Sequence, residues 1–196
     1  LGLLPLHATW REVDGVRRYF LDDYSVTWLP SAYARRVSQD RLQHTAHQAH
    51  TLLAVVNPTE DLPFTPLEGE QVAHLFGDNG AVLLAGKQAT IEAVTEAVKE
   101  GAASHLHFSC HGFYNWADPM QSGLLLVDKK PLTLAQVIGQ FQLDGTRLVT
   151  LSACETGITD IHQSPDEYLG LPAGFLQAGT PAVVSSLWAV NDLSTM

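Results

Sequence analysis

The residues in this chain best suited to chemistry are a thiol and an imidazole, each placed just beyond an apolar run. Ser104 to Ser109 leads into Cys110-His111-Gly112, and Arg147 to Leu151 leads into Ser152-Ala153-Cys154-Glu155-Thr156-Gly157. A free thiol titrates near pH 8.5, so only about a few per cent is thiolate at neutral pH, and attack on a carbonyl needs a base or cation beside it. His111 can supply that if the two runs are neighbouring strands. The backbone N–H groups of Gly112 and Cys154 would then face a developing oxyanion, a stabilisation of roughly 3 kcal/mol per donor. Gly112 leaves room for a substrate carbonyl to approach, and Gly157 eases the turn after the thiol. Cys110 reads differently: strand alternation puts it on the opposite face from His111, which predicts a buried, inert thiol. Cys154 taken alone would carry the same bias, and it is the second strand end, with its His-Gly, that turns the reading toward chemistry.

Delivering both groups to one rim requires parallel strands, and the chain has the pattern for them. Leu52 to Val56 is continuously apolar, after which Leu67, Val72, Leu75 and Phe76 recur close to a helical period over Leu67 to Phe76. The unit repeats with Ala81 to Ala85 as strand, Thr90 as N-cap, Ile91, Val94 and Val98 on one helical face, and Gly101 as the stop. His105 to Ser109 follows as a strand. Leu132 to Ile138 then reads as a helix before the strand Arg147 to Leu151, and Leu169 to Gln177 as a helix before the strand Ala182 to Leu187. Apolar strands alternating with amphipathic helices predict an α/β, doubly wound fold, a mostly parallel sheet with helices on both faces. Ser122 to Lys130 predicts an inserted hairpin outside that sheet. Nearer the start, Leu1 to Leu6 and Tyr19 to Leu29 read as short strands, the second containing the turn Asp22-Asp23, while polar Ser38 to His50 reads as a connecting loop or frayed helix. In open α/β sheets, sites form at the carboxyl ends of strands, which is where His111 and Cys154 fall.

Composition narrows the class further. With 196 residues, 45% of them apolar, one substantial core is expected, and dividing the chain into two domains would leave each thin. The net charge of -10, from 21 acidic against 11 basic residues, argues against direct nucleic-acid binding, which needs a Lys/Arg stripe. It favours cationic partners slightly. The longest apolar stretch, Thr180 to Val190, is too short and too interrupted for a membrane span, and no signal peptide is visible near Leu1, so a cytoplasmic location is expected. Two cysteines exclude a disulfide framework. The chain stops at Met196 shortly after a predicted strand, with no closing helix, and is expected to be part of a longer polypeptide.

Around the two strand ends the sequence resembles the CHAT domain family, caspase-like domains often found beside tetratricopeptide repeats, and more distantly separases and caspases. The resemblance begins near Leu3-Leu4-Pro5-Leu6-His7, includes Leu29-Pro30-Ser31-Ala32 and Asn57-Pro58, and is densest at His107-Phe108-Ser109-Cys110-His111-Gly112. It continues through Asp118-Pro119, Ser122-Gly123-Leu124, Leu151 to Gly157, Gly170-Leu171 and Ser186-Leu187-Trp188. It implies one caspase-like peptidase domain over residues 1–196, cut short at its C-terminus, with a His-Cys dyad of His111 and Cys154 acting on a protein or peptide substrate. Gly112 would lend an oxyanion N–H, and no cofactor is expected. The strand near Ser185-Ser186-Leu187-Trp188 would run along the substrate backbone, with Asp192 near the specificity pocket. Glu155 and Asp118 are further candidates for that pocket, each with an ordinary reading as a turn former. Tetratricopeptide or other regulatory regions are the implied neighbours.

Three rival readings are testable against a structure. The same sheet could display a peptide groove with a silent dyad, making the chain a binding or regulatory module. His105 and His107, on one strand face with His111, have a spacing that zinc could use, against the simpler reading of half-buried histidines bonded to backbone. His44, His47 and His50 recur every third residue, as a solvated connector also would. Gly86-Lys87-Gln88-Ala89-Thr90 does not meet the phosphate-loop pattern, since position 81 is Ala and no Ser or Thr follows the Lys.

Overall fold

The computed structural model describes residues 5–77, 80–101, 103–153 and 170–186. In chain order its strands and α-helices are β1 (Trp10–Val13), β2 (Val16–Tyr19), α1 (Phe20–Asp23), α2 (Ala32–His44), β3 (Leu52–Val56), α3 (Thr65–His74), β4 (Ala81–Ala85), α4 (Ile91–Lys99), β5 (His105–Ser109), β6 (Gly112–Phe113), β7 (Gly123–Leu125), β8 (Pro131–Thr133), α5 (Leu134–Gln140), β9 (Leu148–Ser152), α6 (Leu171–Ala178) and β10 (Val183–Ser185). Five of the strands form a parallel sheet in the order β10-β9-β5-β3-β4. The fold class is therefore the expected α/β one, of caspase-like architecture.

Both faces of the sheet are covered. On one, Leu53, Val55, Leu106, Phe108, Val149 and Leu151 pack with Val94 and Val98 of α4, Leu134 and Val137 of α5, and Leu171 and Phe175 of α6. On the other, Leu52, Ala54 and Val56 meet Val72, Ala73 and Phe76 at the α3 end of the chain's first βαβ unit. Each fully buried Leu or Phe contributes roughly 1.5–3 kcal/mol, which makes these two layers the main source of stability. α3 lies unusually close to β3, because a Cβ on Gly69 would stand 2.6 Å from Val56 Cγ2. The helix signals read from sequence hold for α4: Thr90 Oγ1 accepts from Ala93 N–H at 3.1 Å, and Gly101 closes the helix at φ 69°.

Elsewhere the structure corrects the sequence reading. The N-terminal strands are β1 and β2, joined at Asp14-Gly15, both at positive φ, whereas Leu6 opens a short 3-10 turn and the expected second strand has only its first residue, Tyr19, in a strand. Asp-Gly is the preferred pair for a two-residue hairpin turn, a signal that outweighs the apolar run after it. The expected Asp22-Asp23 turn is a short helix, with Asp23 taken by the Arg18 guanidinium. Of the two readings of Ser38 to His50, the helix holds as far as His44: α2 begins earlier, at Ala32, where the Ser31 hydroxyl accepts from Ala34 N–H at 3.1 Å, and ends at His44. Leu132 belongs to β8, since Thr133 and Gln136 form a reciprocal capping box that starts α5 at Leu134. The predicted inserted hairpin does lie outside the main sheet, as expected, within a separate antiparallel sheet, β6-β7-β8. Leu1 to Leu4 lie outside the described residues.

One polar contact crosses the α3 face of the sheet. Glu68 accepts hydrogen bonds from His107 Nε2, at 3.1 Å, and from the Ser109 hydroxyl. Burial would push its carboxyl up, but these bonds, with the Ser152 hydroxyl acting in the same direction, hold it below the ordinary glutamate range. Removing one partner of such a buried pair is strongly destabilising. Glu68→Ala is expected to lower the unfolding free energy by about 3 kcal/mol in urea titrations at neutral pH. Because folding lowers this pKa, the contribution is complete above the unfolded value near pH 4.3 and fades as acid titrates the folded group, so the difference from wild type is expected to shrink below about pH 4.

Candidate active site

The site is built where the order of strands reverses. From β3 the chain moves outward to β4, then returns to place β5 on the other side of β3, so the loops leaving β3 and β5 part at a crevice between their carboxyl ends. The loop after β5 carries Cys110, His111 and Gly112; the loop after β3 carries Asn57 to Leu62. Across the crevice His111 Nε2 donates to Asp61 Oδ1 at 2.9 Å. The side chains are 36% and 47% exposed, so the pair lies open to solvent at the rim.

The loop that presents Asp61 is tightly constrained. Asn57 N–H donates to Ser109 O at 2.9 Å, Glu60 N–H donates to Asn57 O at 3.1 Å, and the Asn57 side-chain oxygen accepts from Leu62 N–H at 3.1 Å. Asn57 and Glu60 both adopt the left-handed region, at φ 46° and 59°. Such conformations persist in non-glycine residues only when their surroundings hold them, and they gather at functional sites. The Thr59 hydroxyl donates to the same Asp61 oxygen that His111 uses. That bond above all, with His111 and Lys129 adding to it against slight burial, holds the Asp61 carboxyl below its usual range. Asp61 is thus ionised and acceptor-only at neutral pH.

Cys110 sits on the opposite side of β5, as alternation predicts. It is buried among Leu106, Phe108, Leu151 and Ala153, and burial together with the nearby Glu68 charge pushes its thiol pKa well up. A thiol so placed is neither accessible nor ionised.

The remaining predicted residues divide by location. Gly112 opens β6 and pairs with Leu124, while the carbonyl of His111 accepts from Leu125 N–H at 2.8 Å, so the small sheet anchors the segment immediately after the imidazole. Asp118 caps the turn Pro119–Gln121 by accepting from Met120 N–H at 3.1 Å, the turn-forming role. Ser186 donates to Ala153 O at 2.5 Å, tying the end of β10 to the end of β9. Its neighbour Ser185 also lines a groove of about 820 Å³ between α2, Val26–Leu29, α6 and β10. Cys154, Glu155, Trp188 and Asp192 lie outside the described residues. The two strand histidines have separate neighbours: His107 is bound to Glu68, whereas His105 Nδ1 lies 2.9 Å from the Ser104 hydroxyl and its ring packs against Phe76 and His50. The zinc reading of this pair is not supported by that arrangement. Sequence reasoning missed Asp61 and Glu68, for which the available signals were an Asn-Pro turn after an apolar strand and a glutamate on the apolar side of a helix.

A parallel sheet with this strand order, an antiparallel annex and an imidazole at the carboxyl rim of β5 defines a caspase-like α/β domain. The CHAT domain family model matches residues 1–196, and the chain belongs to that family. No curated protein matches the chain. Among the described residues no helix is long and apolar enough to cross a membrane.

The surroundings of Cys110 generate a direct expectation. In the native protein it is expected to resist iodoacetamide and to be modified only after denaturation, as peptide mapping by mass spectrometry would reveal. Modification of Cys110 in the folded state at the rate of a free thiol would contradict the burial described.

Proposed function

We propose that the chain is a cysteine endopeptidase domain in which Cys154 is the nucleophile and His111 its proton partner. The observation that carries this reading is register. Ser109 of β5 and Ser152 of β9 are Cα partners in the parallel sheet, and His111 and Cys154 each stand two positions further along. Neighbouring strands run about 4.8 Å apart, so segments that leave in this register can bring an imidazole and a thiol within proton-transfer reach. The exposure of His111 supports the same reading, since a substrate must reach it.

The chemistry follows from the groups. The Cys154 thiol gives its proton to the imidazole, the thiolate attacks the scissile carbonyl carbon, and the carbonyl electrons move onto oxygen. Backbone N–H groups at Gly112 and Cys154 stabilise that oxyanion. As the tetrahedral adduct collapses, the C–N bond breaks and the imidazolium protonates the departing amine, leaving a thioester. Water, deprotonated by the imidazole, then hydrolyses the thioester and returns the proton to sulfur. β10 is one of the two edge strands of the sheet among the described residues, which suits a substrate backbone added alongside Ser185 and Ser186. Glu155, Trp188 and Asp192 are proposed to form its pocket, and an acidic wall of this kind favours a basic residue before the cleaved bond. The domain is proposed to act in the cytoplasm under control of neighbouring regulatory regions.

Cys154→Ala and His111→Ala are each expected to remove cleavage of a peptide library by the full-length protein, with circular dichroism and thermal unfolding unchanged. Retained cleavage in either variant would end the dyad assignment. Binding of library peptides without cleavage by the wild type would support the silent module instead.

A further inference from the structure

We propose that Asp61 is the positioning residue for His111, accepting the Nε2 proton so that Nδ1 is the nitrogen presented to the Cys154 thiol. The inference rests on the peptidase reading for its thiol and on geometry for everything else. A neutral imidazole has one donor and one acceptor nitrogen, and the hydrogen bond made by one decides the role of the other. Here Nε2 stands 2.9 Å from Asp61 Oδ1. An ionised carboxylate can only accept, so the proton is on Nε2 and the lone pair is on Nδ1.

An exposed ion pair on its own is a weak argument, since such pairs contribute little to stability. Three features separate this one from an incidental contact. It spans the crevice at which the strand order reverses, the place where α/β sheets bind ligands. Its carboxylate is presented by a loop with two residues in the left-handed region, Asn57 and Glu60, stitched back to the end of β5 through Asn57 N–H and Ser109 O. The carboxylate oxygen is also fixed from within that loop by Thr59. The carboxylate is therefore held in place before the imidazole reaches it. Among the described residues the other charged groups nearby are Lys129, which acts on Asp61 from the turn Val127–Lys129, and Glu60, whose carboxylate lies toward Gly86.

The consequence is electrostatic. When the thiol proton moves to Nδ1, the ring becomes an imidazolium with Asp61 at its far side, and the carboxylate stabilises that charged form. Removing the carboxylate weakens the imidazolium, and with it the thiolate.

The test uses the full-length protein and follows carboxymethylation of Cys154 by iodoacetamide as a function of pH, beside peptide kinetics. Asp61→Ala and Asp61→Asn are expected to slow labelling at pH 7 by about 10-fold and to move the profile upward in pH. They are also expected to lower kcat about 10- to 100-fold with KM little changed. Asp61→Glu should recover part of the loss. Thr59→Val, which frees one anchor but keeps the carboxylate, is expected to give a smaller shift in the same direction and covers the case in which the Asp61 variants fold poorly. Profiles of the Asp61 variants that superpose on wild type, while His111→Ala is displaced, would overturn the role of Asp61 alone. A His111→Ala profile identical to wild type would overturn the dyad and this inference together.

Discussion

A carboxylate placed under the sheet governs how the rest can be arranged. Glu68 and Gly69 act as a unit on α3: the first reaches His107 and Ser109, while the second leaves no side chain to hold the helix away from Val56. Burying a carboxylate without partners costs several kcal/mol, so α3 has one favourable docking position, the one that completes these bonds. Because strand residues alternate, committing His107 and Ser109 to that face also fixes the opposite face, where Leu106, Phe108 and Cys110 enter the main core. The register of β5 is thereby set by a polar contact as well as by apolar burial, and a slip of one residue would reverse both at once.

The rim inherits this order. Ser109 lies at the end of β5, bound through its side chain to Glu68 and through its carbonyl to Asn57. One residue thus links the buried carboxylate beneath the sheet to the loop that holds Asp61 above the crevice. The strained loop, the fixed strand end and the antiparallel annex that begins at Gly112 constrain His111 from three directions. Preorganisation of this kind is what proton transfer requires, since a misplacement of about 1 Å can cost on the order of 100-fold in rate.

The βαβ rhythm was legible because parallel strands buried on both faces are apolar throughout and their helices keep a clear period, so β3, β4, β5 and β9 fell within a residue of expectation. Cys110 was legible by alternation alone. The misses share a cause. At Asp14-Gly15, Ser31 and Thr133 local turn and cap chemistry decided the boundaries, and the apolar runs beside them were given more weight than they carried. Asp61 and Glu68 were hidden for another reason: their partners lie 50 and 39 residues away, and only the strand order brings them together. An isolated aspartate after Asn-Pro has many ordinary uses, and nothing in its neighbourhood along the chain points to His111.

The two cysteines show how much of the functional reading reduces to parity along a strand. Cys110 is one residue beyond Ser109, which turns it into the core, where burial and the Glu68 charge suppress the thiolate. Cys154 is two residues beyond Ser152, the partner of Ser109 in the ladder, and His111 is two residues beyond Ser109. Thiol chemistry is thus disfavoured at the odd step, and the even step is the one that the proposed dyad would use. An imidazole held against a carboxylate at an open rim favours the proposed peptidase over a groove that only binds, since the backbone edge of β10 would serve recognition unaided. Under the proposed peptidase reading, the left-handed residues of the Asn57–Asp61 loop serve to fix the direction of the His111 ring, the direction along which a proton would move.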